Sequence, residues 1–284
     1  MSYPIILYPE GVQRPMVAFG SSGLVCRDSR NDAEVLKSPL RYNLSRCSES
    51  TVIFIKEEES FSSACIEREK FIYQSLPKHK DILECLGITE AGIRFPYIQT
   101  GHLRDYIRKN SSCLDSQTKN TWIRSAVHAT EFVHRHSILC DFAGSGIDNM
   151  PSFVTEEDRY RKSPDSPRTF QTDLFALGCL IFEIVVGSRP YEEIADKDWE
   201  KIAENYDRGI FPPVEGLKYG EIIYKCWTSQ YMDARQLLSD IENIDDTKVD
   251  LLSFLIVNYP ERALLPLGLV SACMLAFCIY QRHK

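Results

Sequence analysis

The character of the chain changes about a third of the way along, and this change restricts its architecture more than any other feature. Between residues 16 and 37, short apolar runs (MVAF, LVCR, AEVLK) are separated by a Gly/Ser turn and a polar DSRND turn, which reads as strands. ILECLGI and GIRFPYI repeat the pattern before residue 98. Beyond that point the periodicity is helical, through HLRDYIRK, TKNTWIRSAVHATEFVHRH, TDLFALGCLIFEIVVG, DKDWEKIAENYDRG, EIIYKCW and MDARQLLSDIEN. In the third of these runs, TDLFALGCLIFEIVVG, Thr172 and Asp173 suit a helix start and Gly187 its end. One helical pattern precedes the change, at Ile66, Phe71, Ile72 and Leu76, and the polar stretch 41–62 fits neither period and is open to being an insertion. The expected class is α+β, in two lobes with a cleft at about residue 98, and clefts between lobes are where ligands bind.

With 284 residues, 44% of them hydrophobic, the chain has enough apolar material for a large core. A formal charge of −7 with scattered Lys and Arg argues against nucleic acid as a partner, because phosphate contacts need a clustered basic surface. The ten cysteines occur singly, with no CxxC pair, and read as buried thiols in a reducing compartment; the six histidines show no ligand spacing. The start, MSYPIILYPEGVQRP, lacks the basic and long apolar regions of a secretory signal, so the body is expected to face the cytosol. ALLPLGLVSACMLAFCIY, Ala263 to Tyr280, is eighteen residues without a charge. As a helix it would span roughly 27 Å, enough for a thin bilayer. It reads as a tail anchor in the endoplasmic reticulum or mitochondrial outer membrane, against the alternatives of a buried C-terminal helix and a cytoplasmic protein. The expected divisions are 1–11 (extension), 12–98, 99–243, 244–262 (linker) and 263–280 (membrane helix).

Candidate chemistry begins at AFGSSGLV. Gly20 and Gly23 flank Ser21 and Ser22 between two short strands, where a backbone without side chains can approach a phosphate and direct N–H groups at it; the same turn also serves as an ordinary hairpin connection. Val25 follows, then Lys37 at the end of AEVLK, and Glu69 stands in the helical REKFIYQSL.

In that order these residues resemble the small lobe of a protein kinase, in which a strand lysine holds nucleotide phosphates and a helix carboxylate holds the lysine. Lys56 in TVIFIK competes for the lysine role, but it lies only thirteen residues before Glu69, tight for the intervening loop. KHKDILECLGITEAGIRFPYIQTGHLRDYI resembles the fourth and fifth strands, hinge and following helix, which places Phe95 as gatekeeper and the Pro96 carbonyl and Ile98 N–H toward adenine. CDFAGSGID resembles the metal-binding motif, with Asp141 as the Mg²⁺ ligand; TDLFALG, with Asp173, resembles the F helix; EIIYKCW, with Trp227, resembles the H helix; and YRKSPD resembles a loose Ala-Pro-Glu motif, with Asp165 in the acidic role. The likeness covers about residues 12 to 243, and its DFAGS and FALG phrasing is similar to kinase-like proteins of filamentous fungi. It implies a two-lobed protein-kinase-like fold, a small β-rich N-lobe and a helical C-lobe with the hydrophobic helix after it, and ATP and Mg²⁺ as cofactors. It also implies phosphorylation of protein hydroxyls, with a protein substrate or signalling partner.

The sequence departs from that family in one large respect. The family's catalytic loop carries an aspartate that orients the substrate hydroxyl and an asparagine for a second metal. Between Asp115 and Asp141 there is no aspartate and the one asparagine is Asn120. Asp141 lies seven positions after His134, where the family has roughly 25. About twenty residues are missing between intact flanks, the pattern of a skipped exon or a gene-model error. No residue fills the role of catalytic base, so the expected form is a membrane-anchored pseudokinase, with an active kinase containing the loop and a nucleotide-free interaction module as the other readings. The short link should force the helix end to unwind or Asp141 to shift. Ala18 and Ala143 replace family glycines, and Ser163 and Ser166 each precede proline, as in regulatory phosphorylation sites.

Overall fold

A computed structural model describes residues 3–244 except 46, 112 and 149. The first part is built on an antiparallel five-stranded sheet of β2 (Ala18–Gly20), β3 (Gly23–Arg27), β4 (Glu34–Ser38), β7 (Gly92–Pro96) and β6 (Gly87–Thr89), in that spatial order. A separate two-stranded pair joins β1 (Ile5–Ile6) to β5 (Tyr42–Asn43). The hairpin β2–β3 turns through Ser21 and Ser22 with Gly20 opposite Gly23, and β3–β4 sets Val25 opposite Lys37. Alternation then puts Lys37 on the face of the sheet that receives α1 (Glu49–Ser75).

This helix begins far earlier than the sequence pattern indicates. Ser48 caps it, its side chain accepting from the Thr51 N–H, and the helix runs 27 residues, about 40 Å. The stretch 41–62 is therefore mostly helix, and TVIFIK, which reads as a strand ending in Lys56, lies inside it. Lys56 is exposed on α1, which removes it as a strand lysine.

The remainder is helical: α2 (Leu103–Asn110), α3 (Ser116–Arg135), α4 (Phe170–Val186), α5 (Trp199–Asp207), α6 (Gly220–Trp227) and α7 (Ala234–Glu242). The apolar α4 is the centre of this part. Its start is at Phe170 rather than Thr172, because Thr169 is the cap and Thr172 returns the bond in a capping box; it stops at Gly187. The main core surrounds α4 with Trp122, Phe175, Ile181, Tyr206, Ile223 and Trp227. Trp227 has no exposed surface and donates its Nε1–H to Cys179 Sγ at 3.1 Å. A smaller cluster joins Ile72 of α1 and its C-cap Leu76 to Phe132 and Val133 of α3 and to Ile138, Phe142 and Ile147, tying the sheet part to the helical part.

The chain is α+β, a sheet region followed by helices, an arrangement compatible with two kinase-like lobes. Among the described residues no helix is long and apolar enough to cross a membrane. Ala263–Tyr280 and almost all of the expected linker lie outside the described residues.

Candidate functional site

Lys37 Nζ stands 2.7 Å from Glu69 Oε2, and the two side chains are 3% and 0% exposed. The pairing expected from the order of the sequence is thus made, between β4 and α1. Its geometry depends on a residue that carried no signal in the sequence. At Gly92 a Cβ would lie 2.0 Å from the Lys37 carbonyl oxygen, on a backbone with φ +152, so β7 can approach β4 here only without a side chain.

Cys65 lies one helical turn before Glu69, fully buried and within electrostatic reach of Lys37, Asp141, Glu69 and Arg68. Burial pushes its thiol up to about 12. The charges of Lys37, Glu69 and Asp141 thus all act on this one thiol. Ser22 at the hairpin tip is also completely buried, and its Oγ has no hydrogen-bond partner among the described residues.

Phe95 is 3% exposed and touches Tyr73 of α1 at 5.3 Å between ring centroids; Tyr73 in turn meets Phe142 at 5.3 Å edge-on. Aromatic packing therefore runs from the sheet through α1 to the residue after Asp141. At the strand end Tyr97 donates to the Ala33 carbonyl at 2.7 Å. Since strand backbone groups alternate in direction, the Pro96 carbonyl points away from β4, and Ile98 lies beyond the end of β7.

The link from α3 to Asp141 does not unwind the helix. Helix α3 keeps its last turn to Arg135, and the N–H groups of His136 and Ile138 both return to the Val133 carbonyl. The turn is made instead by non-glycine residues at positive φ, Ser137 at 58° and Asp141 at 68°. Each such residue costs on the order of 1–3 kcal/mol unless its surroundings hold it. Here Ile138 bridges to Ile147, Leu139 donates to the Gly146 carbonyl and Asp148 to the Ser137 carbonyl, closing the link on itself.

Beneath Asp141 lies a buried ionic network. Asp173 Oδ2 accepts from the Cys140 N–H at 2.6 Å and faces His134 Nε2 at 3.0 Å, while Oδ1 accepts from Arg168 Nη2 at 2.9 Å. Burial alone would raise the Asp173 pKa, but the Arg168 charge and the hydrogen bonds from His134 and Cys140 outweigh it and hold it below the usual carboxylate range. Arg168 also donates to Glu156 at 2.9 Å and to the Cys140 carbonyl at 2.7 Å. Ligand atoms of His134, Cys140 and Asp173 all lie within 4.8 Å of one another. A second cation there would have to displace the Arg168 guanidinium, so the trio serves better as a hydrogen-bonded support for Asp141.

Asp165, expected in the acidic role of an Ala-Pro-Glu motif, is exposed. The acids that fasten this segment are Glu156, paired with Arg168, and Glu157, paired with Arg104 at 2.8 Å. Arg104 also binds Glu183 of α4 at 2.9 Å, and the Tyr160 hydroxyl donates to Glu183. Sequence reasoning missed Cys65, Arg68, Gly92 and Arg168, because none belongs to a spacing pattern and each acts on a part of the chain distant in sequence.

With this geometry described, comparison with known proteins adds a distant relationship. No family model matches the chain. A fibroblast growth factor receptor of Ciona intestinalis is 25% identical over 220 residues, covering 59% of this chain and 30% of the receptor. A Mycoplasma pneumoniae protein assigned provisionally as a serine/threonine-protein kinase is 26% identical over 143 residues, covering 45% of this chain and 36% of its own length. The chain is distantly similar to protein kinases. It spans about a third of the length of these relatives.

Proposed function

We propose that the chain is a kinase-like domain that binds ATP with Mg²⁺ in the cleft around Lys37 and that, lacking the catalytic loop, it works as a pseudokinase. The observation that carries this reading is the buried Lys37–Glu69 pair between β4 and α1. In an apolar setting a charged pair is a poor source of stability compared with hydrophobic replacements, so its presence points to a ligand role. The residues fit such a ligand. Lys37 would hold phosphate oxygens, the Gly20–Gly23 turn would bring backbone N–H groups and the unpartnered Ser22 hydroxyl to them, and the adenine edge would meet Pro96 and Ile98 beside Phe95. Mg²⁺ is commonly bound by one or two carboxylates plus phosphates and water, so Asp141 alone suffices as its protein ligand. ATP would supply the phosphoryl group in an active relative, but here no residue in the shortened link can orient an acceptor hydroxyl.

A thermal-shift titration with Mg·ATP tests the reading. The expected result is a rise in melting temperature that disappears in Lys37→Ala and Asp141→Ala, each compared with its own ligand-free state. No rise in the wild-type chain would favour the nucleotide-free interaction module instead. The intact sequence on both sides of the short link favours one further reading, an active serine/threonine-type kinase whose full product contains the loop. Mass spectrometry of the endogenous protein across His134 to Asp141 separates the two, because a longer peptide identifies this chain as a shortened copy. The apolar run Ala263–Tyr280 is proposed as a tail anchor; carbonate extraction that releases the protein from membranes would refute it.

A further inference from the structure

The connection between α1 and β6 carries a titratable contact that the nucleotide reading does not use. Leu76 caps α1 and β6 opens at Gly87; between them His79 lays its ring on Phe132 of α3, with 4.3 Å between ring centroids and 21° between planes. The His136 ring stands 4.6 Å from Phe132, and its Nδ1–H donates to the Phe132 carbonyl at 2.8 Å. The connection is also built into both neighbouring cores. Ile82 packs on the cluster of Ile72, Phe132 and Phe142, and Leu83 belongs to the cluster of Val35, Ile93 and Phe95. What happens at His79 is therefore felt by the sheet part and by the end of α3 together.

Two observations make this contact sensitive to a proton. His79 Nδ1 accepts the Asp81 N–H at 3.3 Å, so this nitrogen is the unprotonated one, and a second proton on the ring would face a donor. The Asp81 side chain is 1% exposed, and neither of its oxygens has a hydrogen-bond partner among the described residues; His79 Nδ1 lies 3.9 Å from Oδ2. Burial disfavours the charged ring and outweighs the attraction of Asp81, and the positive groups of His128, Lys80 and Arg135 act in the same direction as burial, so the ring is held below its usual value. We propose that His79 is a proton-sensitive clasp between the α1–β6 connection and α3: neutral, it accepts from the Asp81 backbone and lies on Phe132; charged, it leaves the stack and frees the connection, with the Asp81 carboxylate as a counterweight to release. A basic group with a lower value in the closed state than in the open one leaves closure unaffected well above the open value, near 6.5, and weakens it as pH falls below that toward the closed value. The proposal goes beyond the nucleotide reading and does not depend on it.

Hydrogen–deuterium exchange of the full chain, followed by mass spectrometry at pH 7.5 and 6.0 and corrected for the intrinsic pH dependence of amide exchange, tests the clasp. The reporters are the N–H groups of Asp81, Ile82 and Leu86, which donate to His79 Nδ1, the His79 carbonyl and the Arg94 carbonyl. Peptides from α4 show whether the helical core stays closed. One proton bound near 6.5 in the open state limits the effect over this interval to about fourfold. In the wild-type chain, opening of 77–86 is expected to rise at pH 6.0 by about two- to fourfold while α4 keeps its protection. His79→Phe, which keeps a flat ring for Phe132 and takes no proton, should show no rise. Asp81→Asn, which lacks the counterweight, should show a larger rise than wild type. No rise in the wild-type chain, greater protection at pH 6.0, an undiminished rise in His79→Phe or a smaller one in Asp81→Asn overturns the clasp. If the α4 peptides show that His79→Phe has loosened the whole chain, His79→Gln, which keeps an acceptor and takes no proton, decides by the same criterion.

Discussion

Glu69 has no exposed surface and Lys37 almost none, so each charge depends on the other for compensation. Removing one partner from a buried pair costs about 3–5 kcal/mol, whereas replacing both by apolar groups of similar size is often neutral. Lys37→Met is accordingly expected to lower the urea-unfolding free energy by that amount, and Lys37→Met combined with Glu69→Leu to recover most of it. A double variant no better than the single one would show that the pair is not the source of the loss. Asp173 makes a different prediction, in pH. Its folded pKa is depressed by Arg168, so the stability it contributes is present above the unfolded carboxylate value and is lost as pH falls through the lower folded one. Below roughly pH 4 the wild-type melting temperature should fall more steeply than that of Asp173→Asn, whose side chain has no proton to gain. Parallel acid profiles would contradict this account. At this scale the Lys37–Glu69 pairing was legible because strand and helix follow one another at recognisable intervals. Arg68 was not, since its contact with Ser145 spans 77 residues of sequence and no local period encodes it.

Helix α1 shows how an element is misread. TVIFIK carries β-branched and aromatic residues in a row, which is the composition of a strand, yet in the folded chain it is helical and of its apolar residues Ile55 alone is fully buried. Ile53 and Phe54 are 57% and 53% exposed, so the apolar run does not serve the core and gave a false signal. What decides the helix is its cap at Ser48, the buried positions Ser62, Cys65, Ile66, Glu69 and Ile72 at helical spacing, and the Ser62 hydroxyl and Glu59 carboxylate that accept the backbone N–H groups of Leu40 and Tyr42. The helical assignment can be tested by substitution. Ile53→Lys should change stability by less than about 0.5 kcal/mol because the site is exposed. Ile55→Lys should cost several times more, and Ser48→Ala about 1 kcal/mol through loss of the cap. In a strand, by contrast, Ile53 and Ile55 would share one face and respond alike.

In the molecule as a whole, the sheet part supplies Lys37 and the hairpin turn, and the helical part supplies Asp141 on its network of Asp173, Arg168 and Cys140. The change of periodicity near residue 98 made this division readable from sequence, because strands and helices have different repeats. The closure of the short link was not readable, because it depends on bridges between Ile138, Ile147 and Met150 and on left-handed backbone at two non-glycine positions. If one ligand is held from both parts, the effects of removing its two anchors cannot be independent. At a free ligand concentration a hundred times the dissociation constant, binding stabilises by about 2.7 kcal/mol. That corresponds to a rise of roughly 5–10 °C for a large domain. Lys37→Ala and Asp141→Ala should each remove most of this Mg·ATP-induced rise, and the double variant should remove no more than the larger single effect, giving a strong coupling in the cycle. Additive partial losses would mean that the two residues contact separate ligand sites, and the two parts would then not share a cleft.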